Sequence, residues 1–222
     1  IDFDQIQELF IEKDKKIDDK ACKITNIEYV DKSKLSREEY ERYNKIGTKI
    51  IQEGKYAVVT MAGGQGTRLG HKGPKGTFKI DVRPEPKFLF QILAENLEAA
   101  NKKYNVTLPW YIMTSTENNK ETVEFFEEHN YFGYPKDHIK FFIQGNLPLL
   151  FTNGQLVLDK DYSIKEAADG NGCIYKAMRE DKILEDMENR NVRDCAAQAV
   201  IAPAKQRIRK KTNVCARNSA SR

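Results

Sequence analysis

The sequence predicts an α/β fold built on a parallel sheet. Three observations carry this. Tyr56–Met61, Trp110–Thr114 and Ile139–Ile143 are short apolar runs rich in β-branched and aromatic residues, as strands buried on both faces require. Segments of helical period separate them, over residues 88–104 and 117–129, and strand–helix–strand–helix–strand implies right-handed parallel crossovers. A glycine-rich stretch follows directly on the first run.

The remaining elements read in order as follows. Residues 2–16 predict an amphipathic helix, with Phe3, Ile6, Leu9 and Phe10 at helical spacing. Ile24, Ile27 and Tyr29 suggest an extended segment. Ser36-Arg37-Glu38-Glu39 is a capping box, so a helix is expected from there to Glu53, with Tyr40, Tyr43, Ile46, Ile50 and Ile51 on one face and Gly54 as its stop. Asn153-Gly154, between Leu149–Phe151 and Leu156–Leu158, predicts a hairpin. Asp169–Gly172 reads as a tight loop, followed by helices over Cys173–Arg179 and Lys182–Arg190. No internal repeat is present.

The chain has 222 residues, of which 40% are hydrophobic and 32% charged, enough for one domain with a core and an appendage. No apolar run approaches the roughly 18–20 residues that cross a bilayer, which argues against a membrane partner. The net charge is +4. Residues 193–222 hold eight basic and one acidic residue, a net of +7, so the first 192, with 29 basic and 32 acidic residues, stand at −3. That distribution argues against a nucleic-acid partner: basic character is confined to a short tail, and residues 195–222 contain no aromatic to stack on bases. Cys22, Cys173, Cys195 and Cys215 are dispersed, without ligand spacing for zinc, as suits a reducing compartment.

The stretch Met61–Gly70, continued by Pro74-Lys75-Gly76, carries the chemistry. It is expected at a carboxyl end of the sheet, where open α/β sheets bind ligands. Gly63, Gly64 and Gly66 allow backbone amides to approach a polyanion, and Arg68 and Lys75 add positive charge. It is neither the dinucleotide fingerprint nor the Walker loop. The last glycine after Gly64-Gln65-Gly66 falls one place late, and Lys75 is followed by Gly76 in place of Ser or Thr.

Gly63-Gly64-Gln65-Gly66-Thr67-Arg68-Leu69-Gly70 with Pro74-Lys75-Gly76 resembles the signature of the UDP-sugar pyrophosphorylases. The branch it resembles most holds UDP-N-acetylglucosamine pyrophosphorylases and UTP–sugar-1-phosphate uridylyltransferases. Pro109–Ser115, Phe141–Pro148 and Ala168–Gly172 resemble the same family, in the same order. The resemblance covers residues 35–192.

It implies a Rossmann-like nucleotide-diphospho-sugar transferase sheet, incomplete here, with an N-terminal helical appendage. It implies synthesis of a UDP-sugar, UDP-N-acetylglucosamine or UDP-glucose, and pyrophosphate from UTP and a sugar-1-phosphate, with Mg²⁺, in the cytoplasm. Gly63, Gly64, Gln65, Gly66 and Thr67 would bind the nucleotide. Gln144 and Gly170 would hold uracil edges, Asn171 would lie near the nucleoside or the sugar, and Arg68 and Lys75 would act on the triphosphate as the catalytic cations. In-line attack on the α-phosphorus needs no protein nucleophile, only positioning and charge neutralisation. Among neighbouring residues, Lys72 and Lys79 read as solvated, Trp110, Phe141 and Phe142 as core, Asp169 as a turn residue, and His71, His129 and His138 as without chemistry.

The family pattern stops after Val192. In the family a strand carrying Val-Asp-Asn follows, whose Asp holds Mg²⁺, and Arg193–Gln198 does not resemble it. The metal ligand is therefore expected outside this chain. The expected organisation is a helical segment over residues 1–53, the nucleotide-binding part over 54–192, and a non-matching, irregular basic tail over 193–222. The alternative function is a nucleotide-binding fragment without catalysis.

Overall fold

Alternation of two buried side-chain sets along its central strands builds the sheet. A computed structural model describes residues 3–12 and 29–200. The expectations for Ile24, Ile27, Cys22, Cys215, residues 13–16 and residues 201–222 lie outside the described residues. In chain order, α1 spans Phe3–Glu12 and α2 Arg37–Gln52, followed by β1 at Tyr56–Met61 and the two-residue strands β2 (Lys79–Ile80) and β3 (Lys87–Phe88). Then come α3 (Leu89–Tyr104), β4 (Trp110–Thr114), α4 (Asn119–Glu128) and β5 (Ile139–Ile143). The short strands β6 (Asn146–Pro148) and β7 (Glu166–Ala168) precede α5 (Ile174–Glu180), α6 (Ile183–Asn189) and β8 (Asp194–Ala199).

The main sheet has the order β5-β4-β1-β8, with every pair parallel. Val58, Trp110 and Ile112 point to one face with Phe90, Ala94 and Leu97 of α3 and Phe126 of α4. Ala57, Val59, Tyr111 and Met113 point to the other with Ile174, Ala177 and Met178 of α5 and Ile183 and Met187 of α6. The result is a three-layer α/β sandwich around the three predicted strands. Trp110 and Phe142 are core, as read from sequence.

The irregular tail expected from residue 193 is corrected by β8. Its six residues pair in register with all of β1, from Tyr56↔Asp194 to Met61↔Ala199. The Lys55 carbonyl accepts from Arg193 N and Asp194 N, and Val200 N donates to Met61 O at 3.1 Å, so the ladder runs past both strand ends. Asp-Cys-Ala-Ala-Gln-Ala has neither alternation nor branched residues, and the free edge of β1 supplies the order that local sequence does not.

Helix α2 begins at the predicted capping box. Ser36 N donates to Glu39 Oε2 at 2.9 Å and Glu39 N to Ser36 Oγ at 3.1 Å. Hydrogen bonding to the carboxylate from the Ser36 backbone N–H, and secondarily from its hydroxyl, holds the Glu39 carboxyl below its ordinary range. The apolar face expected on α2 remains largely solvent-exposed at Tyr40, Tyr43 and Ile46.

The described residues form two compact units, one drawn from the first 43 residues with Asn146–Ala167, the other from Asn44–Gly145 with the chain from Ala168 onward. In the first, the predicted turn forms at Asn153-Gly154. Gly154 has φ +88°, and Phe151 N donates to Gln155 O at 2.8 Å. Antiparallel bridges Leu150↔Leu156 and Leu158↔Ile164 extend it. Ile6 and Phe10 of α1 line an apolar cavity of about 340 Å³ with Leu147, Pro148, Leu150 and Phe151. The second unit contains the whole main sheet and the site described next.

Candidate functional site

The loop after β1 folds back on itself, and this places its two conspicuous ends side by side. Gly66 N donates to Gly73 O at 2.9 Å and Lys75 N to Gly64 O at 3.0 Å. Gln65 and Pro74 form an antiparallel bridge. Residues eleven apart in sequence, Gly64 and Lys75, thereby become neighbours. Lys75 opens a 3-10 turn whose Gly76 lies flat on the Phe90 ring, at a spot where a Cβ would enter that ring. His71 braces the fold from outside. Its Nε2 lies 2.7 Å from Thr77 Oγ1, whose single proton goes to Pro74 O, so Nε2 is the donor.

A cleft of about 330 Å³ opens at the carboxyl ends of the strands, lined by Met61, Ala62, Gly63, Gly64, Lys75, Gln144, Asn171 and Val200. This is where open parallel sheets bind ligands, and the volume is within the range of small-molecule pockets, about 300–1,000 Å³. The N–H groups of Gly63 and Gly64 have no partner among the described residues, nor does the Lys75 ammonium form an ion pair there. Gln144 is buried directly after β5, its N–H donating to Thr114 O at 2.8 Å. A Cβ on Gly63 would stand 3.0 Å from Gln144 Oε1, so the glycine is what lets backbone and amide meet. Asn118, fully buried, ties the two loops together: it accepts from Ser115 N and donates to Ala62 O at 3.1 Å.

Of the residues singled out in sequence, the structure brings Gly63, Gly64, Lys75, Gln144 and Asn171 into one cleft. Gln65, Gly66, Thr67, Arg68 and Gly170 do not line it. Gly66 is buried against His71, and Thr67-Arg68-Leu69 forms a 3-10 turn closed by left-handed Gly70. Arg68 is exposed there. Gly170, at φ +89°, sets the turn that presents Asn171.

Sequence reasoning missed Met61, Ala62 and Val200 as cleft walls, and Ser115, whose buried Oγ lacks a hydrogen-bond partner among the described residues and whose Cβ lies against Gly63. Ser115 closes a stretch already singled out, so its motif was a signal. For Val200 there was none. The Cys173 thiol donates to Asp169 O at 3.4 Å.

The Mg²⁺ implied by the resemblance does not fit this lining. Among the described residues no carboxylate lines the cleft, and no cluster of three or more His, Cys, Asp or Glu is present. Mg²⁺ sites need at least one or two carboxylates besides substrate oxygens.

Comparison with known proteins agrees with this fold. The chain is 40% identical over 173 residues to UDP-N-acetylglucosamine diphosphorylase 2 of Arabidopsis thaliana, a match covering 72% of this chain and 34% of that protein. It is 44% identical over 162 residues to UDP-N-acetylglucosamine pyrophosphorylase of Saccharomyces cerevisiae, covering 71% and 34%. The crystal structure of a putative UDP-N-acetylglucosamine pyrophosphorylase from Entamoeba histolytica superposes with a TM-score of 0.66 at 36% identity, over 72% of this chain and 42% of that one. The chain thus spans about a third of the length of the curated relatives it matches. The model of the UTP–glucose-1-phosphate uridylyltransferase family matches residues 2–195. With most of the chain inside that match and the parallel sheet and its cleft in place, the chain belongs to the UTP–glucose-1-phosphate uridylyltransferase family.

Proposed function

We propose that this chain carries the UTP-binding part of an enzyme that makes a UDP-sugar, UDP-N-acetylglucosamine or UDP-glucose, and pyrophosphate from UTP and a sugar-1-phosphate. The observation that supports this most is the convergence of Gly63, Gly64, Lys75 and Gln144 on one cleft at the carboxyl end of the sheet. In the reaction, an oxygen of the sugar phosphate forms a bond to the α-phosphorus of UTP. The bond from that phosphorus to the bridging oxygen of the β-phosphate breaks, and pyrophosphate leaves.

Each residue has a task that its chemistry suits. The free N–H groups of Gly63 and Gly64 donate to the nucleotide. The Gln144 amide, which carries donor and acceptor side by side, pairs with the uracil edge. Lys75 offsets the repulsion between two phosphate groups, several kcal/mol at an effective dielectric of about 20. Arg68 stands on the neighbouring exposed turn and acts on the outer phosphates, with Gln65, Gly66 and Thr67 shaping the loop. Asn171 faces the nucleoside or the sugar, on the turn that Gly170 makes.

We assign Mg²⁺ to no described residue, and we place the reaction in the cytoplasm. Cys173 forms no disulfide among the described residues, which supports a reducing compartment. No helix among the described residues is long and apolar enough to cross a membrane. The second reading, a nucleotide-binding piece without turnover, rests on the missing carboxylate.

Lys75→Ala separates task from fold. The half-buried side chain makes no ion pair among the described residues, so the melting temperature should stay within about 2 °C, from a change of no more than ~0.5 kcal/mol. Uridine nucleotide binding should weaken at least about tenfold. Unchanged binding would remove Lys75 from the site.

A further inference from the structure

We infer that Asp169 is a positioning residue that fixes the orientation of the Gln144 amide and so selects uracil over cytosine. The inference rests on the proposed uridine nucleotide site. Gln144 Nε2 donates to Asp169 Oδ1 at 3.3 Å, while its Oε1 lies toward Gly63. The two ends of a primary amide are nearly equal in size, so packing alone does not choose between them. A carboxylate accepts hydrogen bonds and donates none, so the amide end facing Asp169 must be the NH₂.

Asp169 is itself held in place. Its N–H donates to Gly145 O at 3.0 Å, and its carbonyl accepts from the Cys173 thiol at 3.4 Å. Its carboxylate occupies the place where a side chain on Gly145 would begin, with Oδ2 2.5 Å from that Cβ position. Gly145 directly follows Gln144, so the missing Cβ is what admits the carboxylate to the amide. Asp169 therefore does more than shape its turn.

The consequence for a nucleobase follows from hydrogen-bond polarity. Uracil offers an N3–H donor beside carbonyl acceptors. Cytosine offers an unprotonated N3 beside an amino donor. A Gln144 amide whose Nε2 is pinned by Asp169 matches the first pattern with Oε1 and its second N–H. To match the second it must turn over, which sets its oxygen against the Asp169 carboxylate.

The test is calorimetric titration of the chain with UTP and with CTP. The unaltered chain should prefer UTP by about tenfold or more, the discrimination of one well-formed bidentate pair. Asp169→Asn keeps size and shape but can present either end of its own amide, so the preference should fall to within about threefold of parity. Gly145→Ala should shift it in the same direction by displacing the carboxylate, which keeps the inference open to test should Asp169→Asn not fold. In a Gln144→Ala background, Asp169→Asn should change the ratio no further. A purely structural Asp169 would weaken UTP and CTP alike and leave their ratio intact, and that result, or a ratio unchanged in both single variants, overturns the inference while leaving the uridine site standing. Failure of the unaltered chain to bind UTP overturns both.

Discussion

Strands β4 and β8 flank β1 on opposite sides, both parallel to it, yet they are held by different means. All five residues of β4 are buried, and Trp110, Tyr111, Ile112 and Met113 fill both faces of the sheet. β8 offers Asp194, Cys195, Ala196, Ala197 and Gln198, partly buried at most. One strand is specified by its own side chains, the other by its neighbour's backbone. They meet at Thr60, whose buried hydroxyl accepts from Trp110 Nε1 at 2.8 Å on the β4 side and from Gln198 Nε2 at 3.1 Å on the β8 side. Both bear on the cleft, since Met113 O anchors Ala62 N and Val200 continues β8 into the cleft wall.

Substitutions on the two sides should therefore differ in cost. The largest loss is expected from Trp110→Ala, about 3–5 kcal/mol by denaturant unfolding, for removal of a fully buried indole from β4. Thr60→Val strands the Trp110 N–H in the core and frees Gln198, and should cost about 2–3 kcal/mol. Gln198→Ala removes only one half-buried donor from β8 and should cost about 1 kcal/mol. A Gln198→Ala loss equal to that of Trp110→Ala would erase the distinction between the strands.

A pH titration sharpens the β4 side further. Burial alone would raise the Asp186 carboxyl. Hydrogen bonds from Lys140 at 2.6 Å, Tyr111 at 2.7 Å and Arg190 at 2.9 Å outweigh it and hold the carboxyl below its ordinary value. The Tyr111 hydroxyl is pushed up, first by burial and then by the Asp186 bond. A depressed carboxyl stabilises the fold fully above its unfolded value, near ~4, and the contribution is lost as pH falls through the folded value. Stability measured from pH 6 downward should fall below pH ~4, and Asp186→Asn should flatten that dependence while lowering stability at pH 7 by about 1–3 kcal/mol. An unchanged acid limb in Asp186→Asn would refute this role.

The same contrast explains what could be read from the sequence. The three strands that carry their own apolar pattern, and the helices between them, fall where periodicity puts them, because each buries its own side chains. β8 was illegible because six small or polar residues become a strand only beside Tyr56–Met61. Val200 was lost with it. Within the loop, composition marked Gly63 through Lys75 as a unit. The reversal at Gln65 and Pro74, which takes Lys75 into the cleft and turns Arg68 outward, depends on backbone hydrogen bonds that no residue type announces. Gln144 was legible through its flanking motif. Asp169 read only as a turn former, since its contact with Gln144 joins two loops 25 residues apart.

The most direct test of the central claim is calorimetric titration of the folded chain with UTP, with ATP as the control. A working uracil site formed by Gly63, Gly64 and Gln144 binds UTP with clear preference over ATP. No binding, or equal affinity for the two nucleotides, in a sample whose circular dichroism shows the α/β fold, would contradict the assignment of this cleft to uridine nucleotides.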